Sequence, residues 1–166
     1  MVRKQLTLFL KDGRETIENI RKKFNPAQYE LIAAHVTLCR EDEIEQLEQI
    51  IENIRSIKVQ HHIQVHFDII ERFDNGKGLY ITANNENNEF HQLRAMVLKG
   101  VIESPRPHLP HITIMHPRNS TCTDLIFEQV SNYAIPTKFT FETISLIAQE
   151  NGNKWHTEAE FNITKS

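Results

Sequence analysis

Two octapeptides share one pattern, Ala34-His35-Val36-Thr37-Leu38-Cys39-Arg40-Glu41 and Pro110-His111-Ile112-Thr113-Ile114-Met115-His116-Pro117, each with His-apolar-Thr-apolar at its centre. In a chain with nine histidines, chance supplies about 0.65 bare His-x-Thr triplets and about 0.1 with both apolar positions filled, so two such hits are a signal. On a strand, side chains alternate faces, so His35 and Thr37 share one face and His111 and Thr113 another, with Val36, Leu38, Ile112 and Ile114 turned to a core. Two imidazoles with ordinary pKa near 6.5 can serve as general base and general acid at one phosphate near neutrality, and a threonine hydroxyl beside each can hold a phosphoryl oxygen. The pattern leaves open which imidazole is the base. The other histidines, His108 and His116 among them, read as surface or structural, because their spacing matches no zinc pattern; neither metal nor cofactor is expected. Cys39 and Met115 fall at matching positions on the same alternation and read as packing at the cleft edge.

Elements must hold these residues in place. Gln5–Leu10 predicts an opening strand, and Asp12 a cap for a helix through Phe24 that Pro26 ends. Strand 33–39 carries the first motif, followed by an amphipathic helix over 43–57 with Ile44, Leu47, Ile51 and Ile54 at helical spacing. Alternation predicts one strand over 63–73, a turn at Asn75-Gly76 and a strand over 79–83. A helix over 89–101, a Pro-rich link and strand 111–115 repeat the order. A helix over 124–133 capped by Thr123 or Ser120, a strand over 139–148, a turn at Asn151-Gly152 and a final strand over 154–163 close it. Asn84–Asn88 reads as a polar loop.

A chain of 166 residues fits one domain spanning 1–166. Hydrophobic residues at 39% and charged residues at 25% are an ordinary globular balance, which excludes disordered and disulfide-scaffold classes. Two cysteines and no long apolar run point to a cytoplasmic protein without membrane anchorage. The net charge of −3 argues against a grip on long nucleic acid, unless Arg40, Lys77, Arg94, Arg106 and Arg118 assemble into a strip.

The paired motifs, with Pro110 before the second, Tyr80 and Leu93 at apolar positions and the terminal hairpin, make the chain resemble the 2H phosphoesterases, which include the bacterial RNA 2′-5′ ligases and cyclic nucleotide phosphodiesterases. The resemblance implies an α+β, bilobal fold of two pseudo-symmetric antiparallel sheets with helices outside and a central cleft. It implies His35, Thr37, His111 and Thr113 as a catalytic tetrad acting without metal. The substrate would be a 2′,3′-cyclic phosphate or a 2′-5′ linkage on a nucleotide or RNA end, handled by a monomer. Relatives often carry Arg soon after the second motif; here Arg118 is nearest, and Arg40 follows the first. Phe9 and Tyr80 are candidates to stack on a nucleobase or to pack in the core, and Arg118 and Arg40 to meet the phosphate. A binding module with little turnover is the alternative.

Overall fold

The structure is a computed structural model describing residues 1–73, 76–83 and 86–165. Residues 74, 75, 84 and 85, which include parts of the expected turn and polar loop, lie outside the described residues. In chain order the elements are β1 (Val2–Phe9), α1 (Arg14–Phe24), α2 (Pro26–Leu31), β2 (His35–Cys39), a 3-10 turn (Glu41–Glu43), α3 (Leu47–Ser56), β3 (Ile63–His66) and β4 (Ile69–Arg72). They continue as β5 (Leu79–Thr82), α4 (Asn88–Leu98), β6 (Ile112–Met115), α5 (Asp124–Ser131), β7 (Lys138–Phe141), β8 (Thr143–Glu150) and β9 (His156–Asn162).

The α+β class with antiparallel sheets is as the resemblance implies. One half-sheet is β4-β5-β6 and the other β2-β1-β8-β9, and the two join edge to edge through the antiparallel pair Val36↔Ile112 into one seven-stranded sheet. Beside it, β3 and β7 form a two-stranded sheet. This corrects two expectations, because the strand expected over 63–73 is two strands in different sheets. The Phe67 N–H bonds to the Thr137 carbonyl at 2.7 Å, and the next amide, Asp68, bonds to the Thr82 carbonyl at 3.0 Å. The strand expected over 139–148 divides likewise at Glu142. Alternation runs on from Ile63 through Phe67 to Ile69, so periodicity cannot reveal the first corner, whereas at the second the apolar positions change phase, from Phe139 and Phe141 to Ile144 and Leu146.

Pro26 both follows the end of α1 and opens α2, since its fixed φ suits a first helical position. The first residue of the α1 cap is Gly13, at φ 85°, rather than Asp12. Thr123 does cap α5, its Oγ1 accepting from the Ile126 N–H at 3.2 Å. Asn151 and Gly152, at φ 52° and 75°, make the left-handed turn that closes β8 onto β9.

Both motif strands bulge just beyond the threonine. Thr37 pairs with Thr7, but Cys39 pairs with Leu6, leaving Leu38 as the extra residue. Thr113 pairs with Tyr80, but Met115 pairs with Leu79, leaving Ile114 extra. An extra residue reverses the alternation downstream, so Cys39 and Met115 are fully buried in the core instead of standing at the cleft edge. Gly78 lies against the second bulge at φ 78°, where a Cβ would stand 2.6 Å from the Met115 carbonyl oxygen.

A buried ion pair fastens the ends of both motifs. Arg94 of α4 is 4% exposed and Glu43 of the 3-10 turn 3%. Arg94 Nη1 donates to Glu43 Oε1 and to the Leu38 carbonyl, each at 2.9 Å, and Nη2 donates to Glu43 Oε2 and to the Arg106 carbonyl. The Arg40 N–H donates to Glu43 Oε1 at 2.9 Å. These demands turn Glu43 inward, which is why the expected helix over 43–57 starts only at Leu47. Burial alone would raise the Glu43 pKa, but the hydrogen bonds from Arg94 and Arg40 and the charges of Arg94 and Arg106 hold it at about 2. We expect Glu43→Gln to lower stability by about 3 kcal/mol or more at pH 7 by stranding the Arg94 charge. Urea unfolding checks this, and a loss under 1 kcal/mol would contradict it.

Candidate functional site

Val36↔Ile112 sits at the centre of the site. One residue to either side of that pair, His35 comes across from Thr113 and Thr37 across from His111. With Phe9 paired to His35 and Tyr80 to Thr113, a row of Phe9, His35, Thr113 and Tyr80 crosses four strands. The two imidazoles are diagonal neighbours on adjacent strands, a relation that sets Cβ atoms about 7–8 Å apart.

Each imidazole is anchored in the same way. His35 Nδ1–H donates to the Ala33 carbonyl at 2.8 Å, and His111 Nδ1–H to the Leu109 carbonyl at 3.3 Å. A carbonyl oxygen only accepts, so each neutral ring carries its proton on Nδ1 and keeps the Nε2 lone pair for the cleft. Burial, with a contribution from the nearby Arg21 charge, pulls the His35 pKa down to about 4. Burial lowers His111 also, with Arg40 adding to it. Both rings are therefore neutral at pH 7 in the empty cleft.

Supports stand behind the motifs. Glu18 Oε2 accepts from the Ala34 N–H at 3.1 Å, while Arg21 donates Nη1–H to Glu18 Oε1 at 2.5 Å and Nη2–H to the Ile32 carbonyl at 2.8 Å. These bonds from α1 set the approach to His35. Gln5 Nε2 donates to Thr7 Oγ1 at 2.9 Å and reaches Thr37 Oγ1 at 3.5 Å. His108, 5% exposed and stacked on Phe90, donates Nε2–H to the Thr37 carbonyl at 2.9 Å, so the link before motif two grips the strand of motif one. Burial holds His108 neutral, with a pKa near 4.

Two cavities meet at His111. The smaller, about 160 Å³, is polar and includes His35, Thr37, His111 and Thr113 in its lining. All four tetrad residues thus share one space, joined there by Arg118. The larger, about 510 Å³, is lined by Tyr80, Phe73, Arg40 and His108 as well as His111. Tyr80 tilts over Phe73 at 4.7 Å between centroids, stands edge-on to His111 and donates its hydroxyl to Glu71 Oε2 at 2.7 Å. Of the remaining sequence candidates, Phe9 stands edge-on to His35 at 6.1 Å and lines a separate small cavity with Lys11 and Glu142. Sequence reasoning missed His108, His116, Gln5 and Trp155, which also line these two main cavities. No repeat marks any of them; only their nearness to the motifs was a signal.

Among the described residues, no three His, Cys, Asp or Glu side chains are grouped to hold a metal ion, and no helix is long and apolar enough to cross a membrane. Burial pushes the Cys39 thiol up to about 12, so it offers no nucleophile.

In solved structures, the fold has counterparts over the whole chain. The crystal structure of E. coli LigT complexed with 3′-AMP matches with TM-score 0.65 and 18% identity, covering 98% of each chain. The complex of E. coli LigT with NADP⁺ and a crystal structure described as a phosphoesterase match with the same values. No curated protein sequence matches the chain. The sequence model of the 2′-5′ RNA ligase superfamily covers residues 10–153, a span that holds both motifs and both bulges, and the chain belongs to that superfamily.

Proposed function

We propose that the protein opens a 2′,3′-cyclic phosphate, or cleaves and joins a related 2′-5′ phosphodiester, on a nucleotide or RNA end, by paired-histidine acid–base catalysis without a metal. The observation that carries this is the matched anchoring of His35 and His111, which leaves two Nε2 atoms facing one polar cavity between two threonine hydroxyls. His35 is assigned as the base, because burial, with the Arg21 charge adding to it, holds its imidazole neutral with a pKa of about 4. In hydrolysis His35 Nε2 takes a proton from water as the water oxygen bonds to phosphorus. The bond from phosphorus to one ribose oxygen breaks, and protonated His111 gives that oxygen its proton, leaving a phosphomonoester. Thr37 and Thr113 donate to the non-bridging oxygens as charge builds.

The division of the cleft supports a nucleotide as substrate. The polar cavity suits the phosphate and the larger one, floored by Tyr80 and Phe73, suits a nucleobase. E. coli LigT, with the same fold, has been crystallised with 3′-AMP and with ATP. Of the basic strip that sequence allowed, Arg94 is buried on Glu43 and Arg106 is bound to Asp42 at 2.5 Å. Withdrawal of these two cations supports a short substrate.

His35→Ala and His111→Ala are each expected to lower kcat on the best 2′,3′-cyclic nucleotide at least about 100-fold, with melting temperature nearly unchanged. Near-full turnover in either variant would end the two-histidine assignment, and wild-type protein inert towards cyclic phosphates and 2′-5′ dinucleotides alike would favour a binding module.

The pH profile has a definite sign. The base works above its pKa of about 4, and the acid works below its own, which burial puts under the usual 6.5. The kcat/KM optimum therefore lies on the acid side of pH 6.5 and falls as pH rises through neutrality, whereas bound phosphate raises both values and moves the kcat profile upward. An alkaline optimum of kcat/KM would contradict it.

For cyclic-phosphate-ended oligonucleotides, KM is expected to level off within two or three nucleotides, with a salt slope matching about one or two phosphate contacts. Affinity still rising at eight or ten nucleotides would point to a longer RNA track.

A further inference from the structure

A third imidazole enters the polar cavity from the loop after β6. His116 lines the same space as His35, Thr37, His111 and Thr113, and its own backbone is fully held. Its N–H donates to Asn25 Oδ1 at 2.8 Å, and its carbonyl accepts from the Asn119 N–H at 3.2 Å and the Ser120 hydroxyl at 2.6 Å. Asn25 is itself buried and tied to Asn119 at 3.0 Å. This loop continues from the bulge that Gly78 packs against, with Pro117 N 2.9 Å from where a Gly78 Cβ would be. The ring is thus carried by a fixed turn.

The polarity of this ring is opposite to that of the other two. The Arg118 backbone N–H donates to His116 Nδ1 at 3.0 Å. A nitrogen that accepts a hydrogen bond carries no proton, so the neutral ring of His116 bears its proton on Nε2. His35 and His111 bring lone pairs to the cavity, and His116 brings an N–H. Charged or titratable neighbours that act on it are Arg118 on its own loop, Arg3 on β1 and His35 on β2; burial and the two arginine charges keep it below the ordinary histidine value.

We infer that His116 is a substrate-binding residue that, as a neutral imidazole, donates Nε2–H to a non-bridging oxygen of the phosphodiester. This rests on the reaction proposed above and adds the residue that orients the phosphorus between base and acid. A neutral donor grips the oxygen without setting a further positive charge beside His35, whose proton affinity the base role requires. It also favours the singly charged diester over a site built for a dianion, because no fixed charge is added.

The test uses the intact protein in two arms. Nitrogen-15 NMR of the wild-type rings at pH 7 is expected to show the Nε2–H tautomer at His116 and the Nδ1–H tautomer at His35 and His111, with inorganic phosphate shifting the His116 Nε2 signal. In the second arm, His116→Ala is expected to lose about 10- to 100-fold in kcat/KM on 2′,3′-cyclic AMP and to bind inorganic phosphate more weakly, the scale for one lost oxyanion donor being 10²-fold or more. His116→Gln, which keeps an N–H at similar reach, is expected to stay within about 5-fold of wild type. The inference is overturned by an Nδ1–H tautomer at His116, by an alanine variant with unchanged kcat/KM and phosphate affinity, or by a glutamine variant as impaired as alanine while wild-type phosphate affinity falls as His116 deprotonates. The last result would mark a charged clamp. If wild type turns over no cyclic phosphate yet phosphate still shifts His116, the reaction reading fails while the donor stands; if turnover depends on His35 and His111 but not His116, the donor alone fails.

Discussion

The single pairing of Val36 with Ile112 is the contact on which the site depends. It is the only ladder pair joining the two half-sheets among the described residues, and it sets two His-x-Thr segments side by side and antiparallel. Antiparallel neighbours place the histidine of one against the threonine of the other, so the cleft has an approximate twofold character that neither segment has alone. One ladder pair is a small hold for such a task. The rest of the molecule reinforces it from outside the sheet: Arg94 reaches the Leu38 carbonyl and the Arg106 carbonyl together, and His108 ties the second link to Thr37.

The cleft gathers positive charge around neutral imidazoles. Arg3, Arg21 and Arg118 line the polar cavity and Arg40 the larger one, and burial strips the rings of the water that would stabilise their charged forms. Arg3 is partly engaged elsewhere, stacked 5.5 Å over Trp155 and bonded to Gln149. In the reaction proposed above, an arriving phosphate would reverse this balance, since it offsets the arginines and makes a protonated His111 acceptable. Burial and the arginine charges thus favour the neutral rings, and on the proposed reaction the anion would supply the condition under which one of them takes up its proton.

Much of this was legible in the sequence. The His-apolar-Thr-apolar repeat brought out the four residues that line one cavity because strand alternation turns a spacing into a shared face, and Asn151-Gly152 announced its turn because its backbone needs positive φ at both residues. Tyr80 was legible as an aromatic near the site, though its pairing with Thr113 was not. The rest depended on distant partners. The bulges at Leu38 and Ile114 insert ordinary apolar residues into apolar runs, so nothing in composition marks the place where Cys39 and Met115 turn into the core. The division of the segment 63–73 between sheets is equally silent, because alternation runs on through Phe67 and Asp68 while their amides find carbonyls in different sheets. The polarity of the His116 ring is decided by a backbone amide two residues later, in a turn that no periodicity describes.

The paired bulges have a further consequence for how the protein reaches a working state. Without them, β2 and β6 would be plain alternating strands of five and four residues, open to a one-residue slide that exchanges which side chains meet water. A slip would bury both imidazoles and expose Val36 and Ile112 in their place. Because each bulge seats an extra residue at one point only, opposite Leu6 and Leu79, it acts as a notch that admits a single alignment. The notch therefore disfavours the slipped register and holds the two motifs in the alignment that brings His35 across from Thr113 and Thr37 across from His111.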